Sequence, residues 1–206
     1  MDDILKLDLK RKYRHLYNPT PKAVTLIEAP AFNFLMVDGA GDPNTAPEYE
    51  AAVNALYSVA YTLKFMIKKS DKPIDYTVMA LEGLWWSDDM SSFVVARKDD
   101  WKWTMMILQP ECVTPEWVKR AVAEAARKRD LAALPKLRFE SYQEGLCAQI
   151  MHIGPYADEG PTIATVHAFI SANGYSPNGK HHEIYLSDPR KTAPARMKTI
   201  IRQPIA

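Results

Sequence analysis

A basic surplus is missing from this chain. Its 206 residues carry 26 Lys and Arg against 25 Asp and Glu, a net charge of +1. Nucleic-acid-binding domains show a clear basic excess, so DNA or RNA is not expected as a direct partner. Long apolar runs are missing too. The start, MDDILKLDLKRKYRHLY, is acidic and broken by charge, unlike a secretory signal. No stretch approaches the roughly 18 apolar residues of a membrane span. Cysteine is scarce: Cys112 and Cys147 sit in separate apolar segments, outside any CxxC pair. Both read as reduced core thiols of a cytoplasmic protein rather than a disulfide.

The motifs of cofactor chemistry are also absent. There is no HExxH or CxxC, and His181 and His182 alternate across an extended segment, so they cannot readily share one ion. No metal is expected. Neither GxGxxG nor a Walker pattern occurs, and Gly39 to Gly41 lacks the phosphate-loop lysine. Ser91, Ser92 and Ser187 lack a nucleophile-elbow context. The expected chemistry needs no cofactor.

What is present is ordinary globular composition, 47% hydrophobic and 25% charged, in a length suited to one large domain or two small lobes. Residues 1–21 read as an N-terminal extension of helical character, stopped by Asn18-Pro19-Thr20-Pro21. Residues 22–38 read as extended, broken at Pro30, and Gly39 to Asn44 reads as a loop. A long helix follows over 47–68. Pro47 suits its first turn, and Tyr49, Val53, Leu56, Ala60, Leu63 and Ile67 form one apolar stripe. Tyr57 and Tyr61 lie one turn apart beside that stripe, either at the core edge or facing a pocket.

Tyr76–Trp86 and Trp101–Gln109 read as strands joined by a polar hairpin connection, Ser87–Asp100. Thr114-Pro115-Glu116 opens a helix with a capping hydroxyl, an N1 proline and an acid at the positive dipole end. Trp117, Ala121 and Ala125 form its expected stripe. Leu137–Ile153 is mostly extended, turning near Gln143-Glu144-Gly145. A second long helix spans about 159–172, with Ile163, Val166 and Ile170 inward and Gly174 beyond its end. His181–Leu186 and Met197–Gln203 read as closing strands.

The elements recur in one order. Phe34–Asp38 and Gln149–Ile153 each run into a glycine, then a helix, then two strands. The closing strands match in text as well: Ile107-Leu108-Gln109-Pro110 parallels Ile201-Arg202-Gln203-Pro204. Two strand-helix-strand-strand halves, about 22–112 and 137–206 and joined by a helix, can share one core about a pseudo-twofold axis. The groove between them is a natural ligand site.

Three separated segments stand in order: Ala29-Pro30-Ala31-Phe32-Asn33-Phe34-Leu35-Met36-Val37-Asp38-Gly39-Ala40-Gly41-Asp42-Pro43-Asn44, Leu81-Glu82-Gly83-Leu84-Trp85-Trp86, and His182-Glu183-Ile184-Tyr185-Leu186-Ser187-Asp188-Pro189. Together they resemble the GyrI-like small-molecule-binding family. Arg196 to Pro204 fits too, so the resemblance covers nearly the whole chain. It implies an α+β fold of tandem strand-helix-strand-strand repeats, as in multidrug-binding regulators, with the ligand groove between the halves. It also implies an acid on the pocket floor, here Glu183. Relatives of this kind are often fused to a helix-turn-helix, for which residues 1–21 are too few. A stand-alone subfamily to which this chain is similar opens the cyclopropane of DNA-alkylating natural products by adding water within an aromatic cage.

The residues themselves leave choices open. Alternation puts Glu183 and Tyr185 on one strand face and Ile184 and Leu186 on the other. Glu183 is then either a groove acid or a solvated charge on an exposed sheet face. Glu82 is either a second pocket carboxylate or a turn residue. Trp85 and Trp86 point to opposite faces, so one of them can line the groove. Trp101 and Trp103 share a face that is either core or cage wall. The candidate catalytic set is Glu183, with Glu82 second, to activate water, and Tyr185 to hydrogen-bond the oxygen that gains charge. Trp85, Trp86, Tyr61 and Trp103 are the candidate aromatic contacts. A non-catalytic drug-sequestering protein and a gyrase-interacting protein are the competing readings. Either a monomer or a homodimer is compatible with the sequence.

Overall fold

A computed structural model describes residues 4–88 and 95–206. Residues 89–94, with Ser91, Ser92 and much of the expected hairpin connection, lie outside the described residues.

The extension is not simply helical. It opens with strand β1 (Leu5–Leu7), then two single-turn helices, α1 (Leu9–Lys12) and α2 (Arg14–Tyr17). Asp8 sets where the helical part begins: its carboxylate accepts from the Arg11 backbone N–H at 3.0 Å, capping α1. Tyr13, at φ −110° and ψ 41°, separates α1 from α2. β1 pairs in parallel with β4 (Ile74–Tyr76), Leu5 lying opposite Ile74.

The rest of the chain supplies β2 (Thr25–Ala29), β3 (Phe32–Ala40), α3 (Pro47–Lys68), β5 (Leu81–Trp86) and β6 (Lys102–Gln109). It continues with α4 (Pro115–Lys128), β7 (Arg138–Tyr142), β8 (Gly145–Ile153), α5 (Gly160–Ala172), β9 (His181–Tyr185) and β10 (Lys198–Pro204). The single strand expected over Tyr76–Trp86 is split, because β4 leaves to pair with β1 while β5 joins the main sheet.

That main sheet is eight-stranded and antiparallel, in the order β2-β8-β10-β9-β5-β6-β3-β7. The order is symmetric about the β9–β5 junction. One repeat is β3-α3-β5-β6 and the other β8-α5-β9-β10, each with its last strand between the other two. The halves also exchange strands. β2 precedes β3 in sequence yet pairs with β8, and β7 precedes β8 yet pairs with β3. Each repeat thereby covers the other's outer edge, which links the two halves through backbone hydrogen bonds.

α3 packs on β3 and β6, and α5 packs on β8 and β10. The α3 core stripe is Ala52, Ala55, Leu56, Val59, Ala60, Leu63 and Ile67, with Tyr49 and Val53 at its border. α4 lies against α3. The Thr114 hydroxyl accepts from the Trp117 N–H, and the buried stripe is Val118, Ala121 and Ala125. Trp117 sits at the rim instead, its ring 4.5 Å from the Arg120 guanidinium. α5 closes a second apolar cluster with Val166 and Ile170 over Ile150 and Ile201. Ile201 registers with Glu183, and Gly83 registers with both Glu183 and Met105. α3 and α5 therefore cover the sheet face that carries Glu183, and β5 and β9 floor the space between them. Among the described residues, no helix is long and apolar enough to cross a membrane.

Candidate ligand groove

Alternation along β9 sends His181, Glu183 and Tyr185 into the groove and His182 and Ile184 to the opposite face. Across the junction, Trp85 faces His181, Gly83 faces Glu183, and Leu81 faces Tyr185. Gly83 provides the room. A methyl group there would lie 2.7 Å from Trp85 Nε1 and 3.1 Å from the Tyr185 oxygen. The bare glycine lets those two side chains meet above the sheet.

A hydrogen-bonded chain results. Trp85 Nε1 donates to the Tyr185 hydroxyl at 3.0 Å, and Tyr185 donates to Glu183 Oε2 at 2.7 Å. His181 Nε2 lies 3.2 Å from Glu183 Oε1. Both carboxylate oxygens are anchored, and 14% of the Glu183 side chain remains exposed. Burial, followed by the Glu183 charge, pushes the Tyr185 phenol well above its usual range, so it stays protonated.

Aromatic rings wall this carboxylate. Tyr49 stacks on Trp85 at 6.2 Å, and Trp101 meets Trp85 edge-on at 5.6 Å. Tyr156 meets Tyr185 edge-on at 5.5 Å. On α3, Tyr57 and Tyr61 stack at 6.2 Å, with Tyr61 48% exposed. Burial is the main cause, and acidic neighbours the next, that hold the Tyr49 and Tyr156 phenols up, Tyr156 at about 12. The groove thus pairs a carboxylate with neutral phenols and indoles.

Of the candidate residues, Glu183, Tyr185 and Trp85 come together. Trp103 shares their sheet face but is fully buried, edge-on to Tyr49 at 5.4 Å beneath the wall. Trp86 lies on the reverse face, where the Lys180 ammonium sits 3.4 Å from its ring centroid. Glu82 needs correction. It registers with Ile184, one residue out of phase with Glu183, and so occupies the reverse face as neither a groove acid nor a turn residue.

There Glu82 belongs to a buried polar network. Tyr17 donates to Glu82 Oε1 at 2.8 Å, and His182 Nε2 lies 3.0 Å from Glu82 Oε2. His182 Nδ1 is 2.8 Å from Glu144 Oε1, and Arg202 Nη1 donates to Glu144 Oε2 at 2.8 Å. Arg202 and Gln149 also donate to the carbonyls of Leu16 and His15, each at 2.8 Å, tying the extension to the sheet. Burial opposes the imidazolium, but Glu144 and Glu82 outweigh it and push His182 up to about 9. Burial likewise opposes the Glu144 carboxylate, but His182 and Arg202 hold it down at about 2. The network is a paired set of buried charges behind the groove floor.

Sequence reasoning missed Glu159. It precedes α5 at the capping position, yet its side chain makes no capping hydrogen bond. It is 4% exposed and turns into the groove, with Oε1 buried and unpartnered. Burial first, and the Glu183 charge second, push its carboxyl up to about 9. An acid at a helix start ordinarily reads as a dipole partner, which hid it. A separate depression of about 820 Å³, lined by Lys6, Arg11, Lys64, Asp75 and Tyr76 among others, shares no residue with the groove.

Known proteins are similar to this chain in sequence and fold. Residues 22–206 fit the model of the GyrI-like small molecule binding domain. An uncharacterized conserved protein from Listeria innocua is 41% identical, with a TM-score of 0.90 over 97% of this chain and 100% of its own. A hydrolase from Listeria innocua is 39% identical, with a TM-score of 0.84 over 97% and 100%. Another Listeria innocua hydrolase structure is 40% identical, with a TM-score of 0.86 over 98% and 100%. The C-terminal domain of EcmrR shares the fold alone, at 11% identity and a TM-score of 0.55 over 89% and 97%. A search of the curated proteins found no match. With the family model spanning all but the extension, and the tandem repeats and their groove in place, this chain belongs to the GyrI-like small-molecule-binding family.

Proposed function

We propose that the groove binds a flat, lipophilic aromatic molecule and that Glu183 activates a water to open a strained electrophile, such as the cyclopropane of a DNA-alkylating natural product. The observation that carries this reading is the Glu183 carboxylate itself. It is held by Tyr185 and His181, walled by Trp85, Tyr49 and Tyr156, and still partly open. A fixed, partly buried carboxylate in an aromatic site is suited to general-base catalysis. The two Listeria innocua relatives named as hydrolases, at 39% and 40% identity, support turnover rather than binding alone.

The geometry revises one role. Tyr185 has its proton committed to Glu183 and accepts from Trp85, so it positions the base rather than reaching for a substrate oxygen. In the reaction the water oxygen bonds to a cyclopropane carbon and the ring C–C bond breaks. The electron pair moves into the conjugated carbonyl, and Glu183 takes the water proton.

The test is incubation of purified protein with a cyclopropane-bearing DNA alkylator, followed by mass spectrometry. A water adduct formed over many turnovers supports the hydrolase. Stoichiometric binding without adduct would replace it with a drug-sequestering protein.

A further inference from the structure

Ring opening leaves negative charge on a substrate oxygen, and a proton must reach it. Tyr185 is committed to Glu183. Tyr49, Tyr57 and Tyr156 are phenols held above their usual range by burial, and so are weak acids. Glu159 is different. It is a carboxyl buried in the groove with a free oxygen, and it stands at a helix start without capping that helix. Thr199, whose hydroxyl is also buried and unpartnered, lies on the neighbouring strand opposite Tyr185. The facing groups are Glu183 from β9, Thr199 from β10, Tyr156 from the preceding turn and the Lys98 ammonium.

We propose that Glu159 is a second catalytic residue, the proton donor to the substrate oxygen, working in tandem with Glu183 as base. This rests on the hydrolase reading above. A buried carboxyl set against a neighbouring carboxylate favours its protonated form. Burial and the Glu183 charge keep the proton on Glu159 up to about pH 9. As the water O–C bond forms and the cyclopropane C–C bond breaks, Glu183 accepts the water proton and Glu159 releases its own. The carbonyl oxygen becomes a hydroxyl. Transfer of the new proton from Glu183 to Glu159, directly or through one water, restores the pair. The net change is addition of one water, with no oxidant or cofactor.

The test compares pH–rate profiles of wild type and Glu159→Gln on a cyclopropane-bearing alkylator. In wild type, kcat should fall above about pH 9, where Glu159 loses its proton. Glu159→Gln should lose roughly 10²–10³ in kcat, with KM within about threefold, and lose that alkaline limb. Wild-type kcat with an unchanged limb in the variant would overturn the assignment. Should the variant fail to fold, carboxyl NMR of wild type labelled with ¹³C-glutamate decides instead. One glutamate should titrate near 9, and none above 7 would overturn the proposal. Absence of product from wild type at every pH would instead contradict the hydrolase reading, and this assignment with it.

Discussion

The Tyr185 hydroxyl donates to the Glu183 carboxylate at 2.7 Å, from two residues along the same strand, while accepting from Trp85 at 3.0 Å. One phenol therefore fixes both the carboxylate and an aromatic wall. Tyr185→Phe removes both bonds and little else. Its kcat should fall about tenfold, with ligand affinity within about threefold of wild type. Loss of the acceptor for Trp85 Nε1 should cost about 1–2 kcal/mol of stability. Steady-state kinetics and thermal melts measure both. Unchanged kcat would show that Glu183 does not need this anchor.

The reverse-face network sets how stability varies with pH. His182 has a folded value of about 9 against an ordinary 6.5, so its contribution is full below pH 6.5 and is lost as pH rises to 9. Glu144 sits at about 2 against 4.5, so its contribution holds above 4.5 and is lost as pH falls to 2. Glu159, raised from 4.5 to about 9, adds to the alkaline loss. Urea denaturation should therefore find greatest stability at mildly acidic pH. His182→Gln deprives two buried carboxylates of a cation. It should cost about 3 kcal/mol at pH 6, with the gap narrowing towards pH 9. A loss below about 1 kcal/mol at pH 6 would contradict this role.

Much of this architecture is legible in the sequence because it is local. Pro47 and an apolar stripe define α3, Thr114-Pro115 defines the start of α4, and alternation puts Glu183 and Tyr185 on one face. What is not legible is relational. The text of β5 does not say whether Glu82 or Gly83 stands opposite Glu183, and that single register step sends Glu82 to the reverse face and Trp85 to the groove. The exchange of β2 and β7 depends on partner choice, which neither strand encodes alone. Glu159 looks like any helix-start acid until the opposite strand brings Glu183 against it.

Exposed and buried aromatics should respond differently to truncation. Tyr61, half exposed and stacked only on Tyr57 among the ring contacts described, should act on the ligand. Tyr61→Ala should weaken binding of a planar aromatic by about 0.5–1.5 kcal/mol, with melting unchanged. Trp103→Ala, at a fully buried site, should cost about 3–5 kcal/mol of stability. Calorimetric titration beside thermal melts separates the two. A Tyr61→Ala variant that binds like wild type would remove Tyr61 from the site.

Glu183→Gln tests the water-activating carboxylate most directly, because it keeps the shape and removes the base. The measurement is multiple-turnover ring opening of a cyclopropane-bearing alkylator by wild type and variant, with ligand affinity determined on the same samples. The variant should bind within about threefold of wild type and lose at least about 10² in turnover. Turnover near the wild-type rate, with binding intact, would contradict the assignment.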